Sequence, residues 1–181
     1  NVNKSITKLA LLLFAWQFFI PNAKAEMEPF IESSATYFTQ TWLETPGFEK
    51  LTPPQIISLN PESKILFGCS TGNNSKNIGG SAYCSLSNTI FLTNDQLKFF
   101  YEVNGESGIA YLMAHEFAHA LQHAVFNELD NPAKELQADC IAGIFTSSML
   151  NISRSEMLAL ARLSLHLGSD YHGTGSQRAY A

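Results

Sequence analysis

Charge is scarce in this chain of 181 residues: 15% of its side chains are Asp, Glu, Lys or Arg, against 45% hydrophobic ones. That balance excludes disorder as the default state and fits one domain large enough to bury a core. Positive charge is the scarcer sign, with 11 Lys and Arg against 16 Asp and Glu. Nucleic acid and anionic membrane surfaces are therefore poor partners, since both are recognised through clustered basic side chains. No apolar run reaches the roughly 20 residues of a membrane-spanning helix. Repeats and low-complexity tracts are also missing, which excludes solenoid and linker architectures.

What the chain does have begins with a targeting pattern. Lys4 and Lys8 precede an apolar run from Leu9 to Ile20, and Ala23-Lys24-Ala25 offers a small-x-small cleavage site. Residues 1–25 are expected to be a cleavable signal peptide, followed by a single domain over residues 26–181, periplasmic or secreted, with no stable membrane insertion after cleavage. The absence of a cysteine at the cleavage site argues against a lipid anchor. Setting aside Lys4, Lys8 and Lys24 leaves 8 of the 11 basic side chains against 16 acidic ones, a charge of −8 with His neutral.

Export changes how the three cysteines are read, because an oxidising compartment lets thiols pair. Cys69 and Cys84 flank the loop "STGNNSKNIGGSAY" and are expected to close it as a disulfide, whereas Cys140 lies in a helical pattern and is expected to be a buried free thiol.

Apolar positions Ile31, Ala35, Phe38 and Trp42 recur at helical spacing and predict a first helix over 28–43, ended by "TPG". "QIISL", "KILFGCS" and "NTIFLT" are strand candidates. From Glu106 the pattern turns helical. A second helix is expected over 107–126, and a third from Pro132 to Leu150, apolar around much of its surface and so assigned to the core. A fourth follows a Ser153/Glu156 capping box and ends at Gly168. The tail "SDYHGTGSQRAYA" is polar. Small strands first and packed helices later make an α+β domain.

The chemistry is concentrated in "LMAHEFAHALQH", Leu112 to His123. His115 and His119 are four residues apart, so their rings stack on one face of a helix and can converge on one ion. Glu116 lies beside them, where it can take a proton from a water polarised by the metal. A catalytic zinc keeps three protein ligands and one open position. His123 is excluded as the third, because it lies about 12 Å along the helix axis from His115. Glu135, on the next helix, is the expected third ligand, and Asp139 one turn on is expected to orient a ligand imidazole. Peptide deformylases use a similar histidine pair with a cysteine ligand; Cys84 could be tried in that role, but export and Cys69 favour a disulfide.

"AHEFAHALQH", then "KELQADCIAG", then "HGTGSQR" resembles the bacterial neutral zinc metallopeptidase family, relatives of the gluzincins. "YCSLSNTIFL" is similar to that family's cysteine-containing strand ahead of the metal helix. The match covers most of the chain from about Cys69 onward. It departs at Ala118 and Ser85, where relatives often carry glycine and proline. The resemblance implies a mainly helical, zincin-like α+β domain with a small antiparallel sheet. It also implies zinc held by His115, His119 and Glu135, with Glu116 as general base and Asp139 supporting a ligand. It draws attention to His172 and Arg178, which could stabilise an oxyanion or, for the cation, neutralise Asp139.

The expected activity is hydrolysis of a peptide or protein substrate, laid as an added strand on the segment Asn88 to Leu92. The rival reading is a secreted zinc-site module that binds peptides or proteins without cleaving them. The cysteine assignment makes a direct prediction: non-reduced peptide mass spectrometry should find Cys69 linked to Cys84 and Cys140 unlinked. A link from Cys140 to either of the others would overturn it.

Overall fold

The computed structural model describes residues 23–59, 80–125 and 129–181. Most of the expected signal peptide, Cys69 and the "KILFGCS" strand lie outside them. Five helices and three strands follow in the order α1 (Ala23–Glu44), β1 (Gln55–Leu59), β2 (Ala82–Cys84), β3 (Thr89–Thr93), α2 (Asn94–Ala124), α3 (Ala133–Leu150), α4 (Arg154–Leu165) and α5 (Gly175–Tyr180). The α+β class holds. No described helix is long and apolar enough to cross a membrane.

Helix α2 is the axis of the molecule. From residue 107 to residue 118 every side chain is buried, and a helix apolar on all sides can be stable only when other elements surround it. Helix α1 covers one side, stacking Phe38 on Phe117 with ring centroids 4.8 Å apart and setting Trp42 edge-on to the same ring at 6.0 Å. Helix α3 covers another through Phe145, whose ring meets Phe117 at 5.5 Å. Both Phe38 and Phe117 are fully buried, so the aromatic cluster supplies much of the apolar burial that holds α2 in place.

The expected start of α2 at Ser107 is corrected: the helix begins at Asn94, and Leu97 and Phe100 on its first turns are buried. What interrupts the pattern is a break. At Gly105 the backbone leaves helical space, with φ 59° and ψ −143°, a conformation open to glycine alone at little cost. The chain then re-enters the helix so closely that a Cβ on Gly108 would overlap the Phe100 carbonyl oxygen.

The sheet is mixed, in the order β1-β3-β2, and not antiparallel as expected. β1 runs parallel to β3, pairing Gln55 with Thr89 through Leu59 with Thr93, and β2 runs antiparallel to it, pairing Tyr83 with Ile90. β3 is thus the middle strand, with Thr89 to Leu92 buried. The segment Asn88 to Leu92 is therefore not the sheet edge expected of a strand that receives a substrate; the edges are β1 and β2.

Helix α3 is also less enclosed than its composition suggests. Glu135, Ala138, Asp139, Ala142 and Thr146 are buried along one stripe, while Ile144 is exposed. Cys140, a free thiol, is exposed and not buried, because one step of about 100° beyond the inward-facing Asp139 turns it outward. Helix α4 opens with the expected Ser153/Glu156 capping box. The polar tail holds a short helix of its own, α5, capped reciprocally by Thr174 and Gln177.

The glycines of the two central helices should respond in opposite directions. Gly143→Ala adds a Cβ that meets only Met157 Cε at an ordinary 3.6 Å, so it should raise unfolding free energy by about 0.5–1 kcal/mol. Gly108→Ala should lower it by about 1–3 kcal/mol, the usual cost of overpacking. Urea unfolding followed by circular dichroism reads both.

A candidate metal centre

Three side chains converge where α2 crosses α3. His115 Nε2 and His119 Nε2 are 3.2 Å apart, and Glu135 Oε2 lies 3.3 Å from the first and 3.4 Å from the second. His115, His119 and Glu135 are the group among the described residues able to hold a metal ion. His115 and Glu135 are buried, and His119 faces the cleft. Two ligand atoms come from adjacent turns of α2, and the third is brought across by the packing of α3 on it.

Whether these atoms suit a cation depends on where the protons are. His115 Nδ1 lies 2.9 Å from Asp139 Oδ1, close enough to pair although off the line of a well-aligned hydrogen bond; a carboxylate can only accept, so that nitrogen carries the hydrogen. His119 Nδ1 lies 2.8 Å from Gln122 Oε1. The Gln122 amide cannot be reversed, because its nitrogen donates to the Lys134 carbonyl at 2.8 Å and to Gln137 Oε1 at 2.9 Å. His119 Nδ1 therefore also carries the hydrogen. With one proton on each ring, both Nε2 atoms are lone pairs aimed at each other and at a carboxylate oxygen that has no hydrogen-bond partner among the described residues. Such an arrangement is repulsive until a cation enters it.

The spacing fits a small tetrahedral ion. With ligands at about 2.0–2.1 Å, the edge between two ligand atoms of a tetrahedron is about 3.3 Å. The observed edges of 3.2, 3.3 and 3.4 Å bracket that value.

Asp139 anchors the arrangement from behind. Its carboxylate, 2% exposed, accepts from Tyr111 Oη at 2.8 Å and from Arg178 through Nε at 2.7 Å and Nη2 at 2.8 Å. Arg178 Nη1 donates to the Leu167 carbonyl at 2.9 Å. Burial alone would raise Asp139, but the bonds from Arg178 and His115 outweigh it and bring it down to about 2. Burial disfavours a charged His115, yet the carboxylates of Asp139 and Glu135 beside it, with Glu116 nearby, raise it to about 9. Burial opposes Glu135 as well, and the two imidazoles hold it far below the usual carboxylate range. Burial first, then the charge of Asp139, push Tyr111 well above an ordinary phenol, so it stays a donor.

Glu116 is buried and lines the same cleft, and its Oε2 accepts a 2.9 Å bond from the Tyr83 backbone N–H on the outer edge of β2. His172 Nε2 lies 3.9 Å from Glu135 Oε2, and the ring is half-exposed, with Nδ1 2.8 Å from Ser169 Oγ. Its pKa is lowered, chiefly by burial, so it is a neutral imidazole at neutral pH. The cleft encloses a cavity of 320 Å³.

The seven residues expected around the metal, His115, Glu116, His119, Glu135, Asp139, His172 and Arg178, come together here. Arg178 is committed to Asp139, the second of the two roles considered for it. His123 stands at the rim, with Nδ1 3.2 Å from Tyr83 Oη. Gln122 and Tyr111 were missed. Both lie on the stripe 111-115-119-122, the same helix face as the histidines, and that spacing is the signal that could have found them. No family model, curated protein or solved structure matches the chain.

Zinc titration against a competing chelator should find one ion per chain. His119→Ala and Glu135→Ala should abolish that site, and Gln122→Ala should weaken it by about 10–100-fold, the usual effect of releasing a ligand imidazole from its orienting partner. Equal affinity in Gln122→Ala would refute the tautomer argument.

Proposed function

We propose that the chain is an exported zinc metallopeptidase of zincin-like architecture that hydrolyses peptide bonds with Glu116 as general base. The observation that carries this reading is the position of Glu116. Its carboxylate shares one cleft with the three converged ligand atoms and is tied to the edge strand β2 by the Tyr83 N–H. A site built only to bind a metal has no use for an oriented carboxylate beside its open face.

Zinc is the ion supported by two imidazoles and one carboxylate at tetrahedral spacing. His115, His119 and Glu135 would hold it, and when bound it supplies Lewis acidity toward a water molecule and a carbonyl oxygen. Glu116 takes a proton from the attacking water and later returns it to the leaving amine. The substrate lies along the outer edge of β2 as an extended strand, beside the Tyr83 N–H that holds Glu116. His172, neutral and on the cleft wall, donates a hydrogen bond toward the negative charge that develops on the substrate oxygen. Arg178 acts at one remove, holding Asp139 ionised so that His115 keeps its tautomer.

Export rests on the basic start, the apolar run and Ala23-Lys24-Ala25. A Cys69–Cys84 disulfide suits the same compartment. The test is Glu116→Gln assayed on a mixed peptide digest with zinc content measured in parallel. The variant should retain zinc and lose peptidase activity by at least about 100-fold, the lower range for removing a general base. A parent protein that binds zinc and cleaves nothing would instead favour a secreted zinc-site module that binds peptides or proteins.

A further inference from the structure

A second cavity of 260 Å³ opens beside the metal cleft and shares with it Tyr83, Ser85 and His123. The two differ in chemistry. The cleft carries Glu116, Lys134 and Glu135. The neighbouring cavity is walled by Trp42, Leu51 and Ala124, and its lining has no Asp, Glu, Lys or Arg. Its size falls below that of pockets that enclose a whole small molecule, about 300–1,000 Å³, and suits a single large side chain.

Two of its wall residues, Trp42 and Tyr83, are held by hydrogen bonds. Trp42 is buried and its Nε1 donates to the Leu51 carbonyl at 3.1 Å, so the end of α1 and the loop after it are tied together. The dividing wall is the Tyr83 ring, whose hydroxyl lies 3.1 Å from Asn88 Oδ1 and 3.2 Å from His123 Nδ1. Tyr83 is also the residue whose backbone N–H faces Glu116. A chain lying along β2 passes this wall, and side chains of an extended strand alternate between its faces.

We propose that this cavity is the selectivity pocket for substrate, accepting one large apolar side chain, leucine or phenylalanine in class, close to the scissile bond. The inference rests on the peptidase reading for the identity of the occupant. Tyr83 and His123 set the boundary between the charged cleft and the apolar pocket, so an acidic or basic side chain at that substrate position meets no partner and loses its hydration.

The test uses the full chain with zinc, carrying Glu116→Gln so that peptides stay intact and Trp16→Phe so that Trp42 is the sole tryptophan. The probes are blocked hexa-alanine peptides with Leu, Phe, Asp or Lys at each position in turn, with binding followed by Trp42 emission. At one position Leu and Phe should bind about 10-fold or more tighter than Ala, as a few buried methylenes allow, and Asp and Lys no better than Ala. Two variants fill the cavity, Ala124→Phe from the helix side and Ser85→Phe from its exposed mouth; in both, the preference should collapse while zinc content holds. A preference that survives both fillings, or no apolar preference at any position, would overturn the pocket assignment. Cleavage by the parent chain separates the two proposals. Selective binding without cleavage sinks the peptidase and leaves the pocket standing, and cleavage without selectivity does the reverse.

Discussion

The arrangement depends on one buried carboxylate. Asp139 sits on α3, yet its partners come from α2 through His115 and Tyr111 and from α5 through Arg178. Tyr111 Oη also lies 3.4 Å from Ser164 Oγ on α4. Three helices therefore meet on two oxygen atoms, and α4 joins them through the Tyr111 hydroxyl. An ionised carboxylate out of water is costly unless its lone pairs are met, and here the bidentate guanidinium, the phenol and the imidazole N–H all serve that need. Removing any partner leaves the others facing a charge they cannot satisfy alone. The cost of burying Asp139 is what obliges α5 to dock and fixes the tautomer of His115.

The two ligand histidines are held in different ways. His115 leans on a charged carboxylate inside the core, and His119 leans on the neutral amide of Gln122 near the cleft. A carboxylate behind an imidazole raises its basicity; an amide mainly orients it. The geometry of His115 is thereby coupled to the packing of α5, while that of His119 is coupled to the first turn of α3 through the Lys134 carbonyl. Because all these groups stand on helices, the triangle of ligand atoms can keep tetrahedral spacing to within 0.1 Å of the ideal edge of about 3.3 Å. The open side of that triangle faces the cleft, where Glu116 and the β2 edge lie.

Much of this was legible in the sequence because helical periodicity is local. Spacing of four placed His115 with His119 and Glu135 with Asp139, and the Ser153/Glu156 box placed the start of α4. Distance along the axis removed His123 from the ligand set. What was hidden depends on contacts between distant segments. Arg178 meets Asp139 across 39 residues, and nothing nearby reveals which of two roles its guanidinium takes. The sheet was misread for a similar reason: β2 is only three residues long, and the parallel pairing of β1 with β3 is set by tertiary packing. Cys140 was misplaced because an apolar stretch does not reveal which of its residues faces inward. Gly105 interrupts the apolar pattern of α2, which is why its expected start fell thirteen residues late, at Ser107 instead of Asn94.

Charge balance joins the fold to the chemistry. Glu116, Glu135 and Asp139 are all buried, and Arg178 is the one buried cation set among them in the described residues. Three carboxylates against one guanidinium leave a net of about two negative charges in a region where unpaired charge is expensive. In the state that offers both Nε2 atoms to a metal the two imidazoles contribute none, because each keeps a single proton turned away toward Asp139 or Gln122. A divalent cation at the triangle of Nε2, Nε2 and Oε2 brings that sum to neutrality and meets the lone pairs left facing one another. Protons could satisfy the same deficit, which is why His115 without a metal rises to about 9. A proton, however, bonds two atoms, whereas the geometry here converges three. The third convergent atom, Glu135 Oε2 without a hydrogen-bond partner, distinguishes a metal centre from a protonated histidine pair.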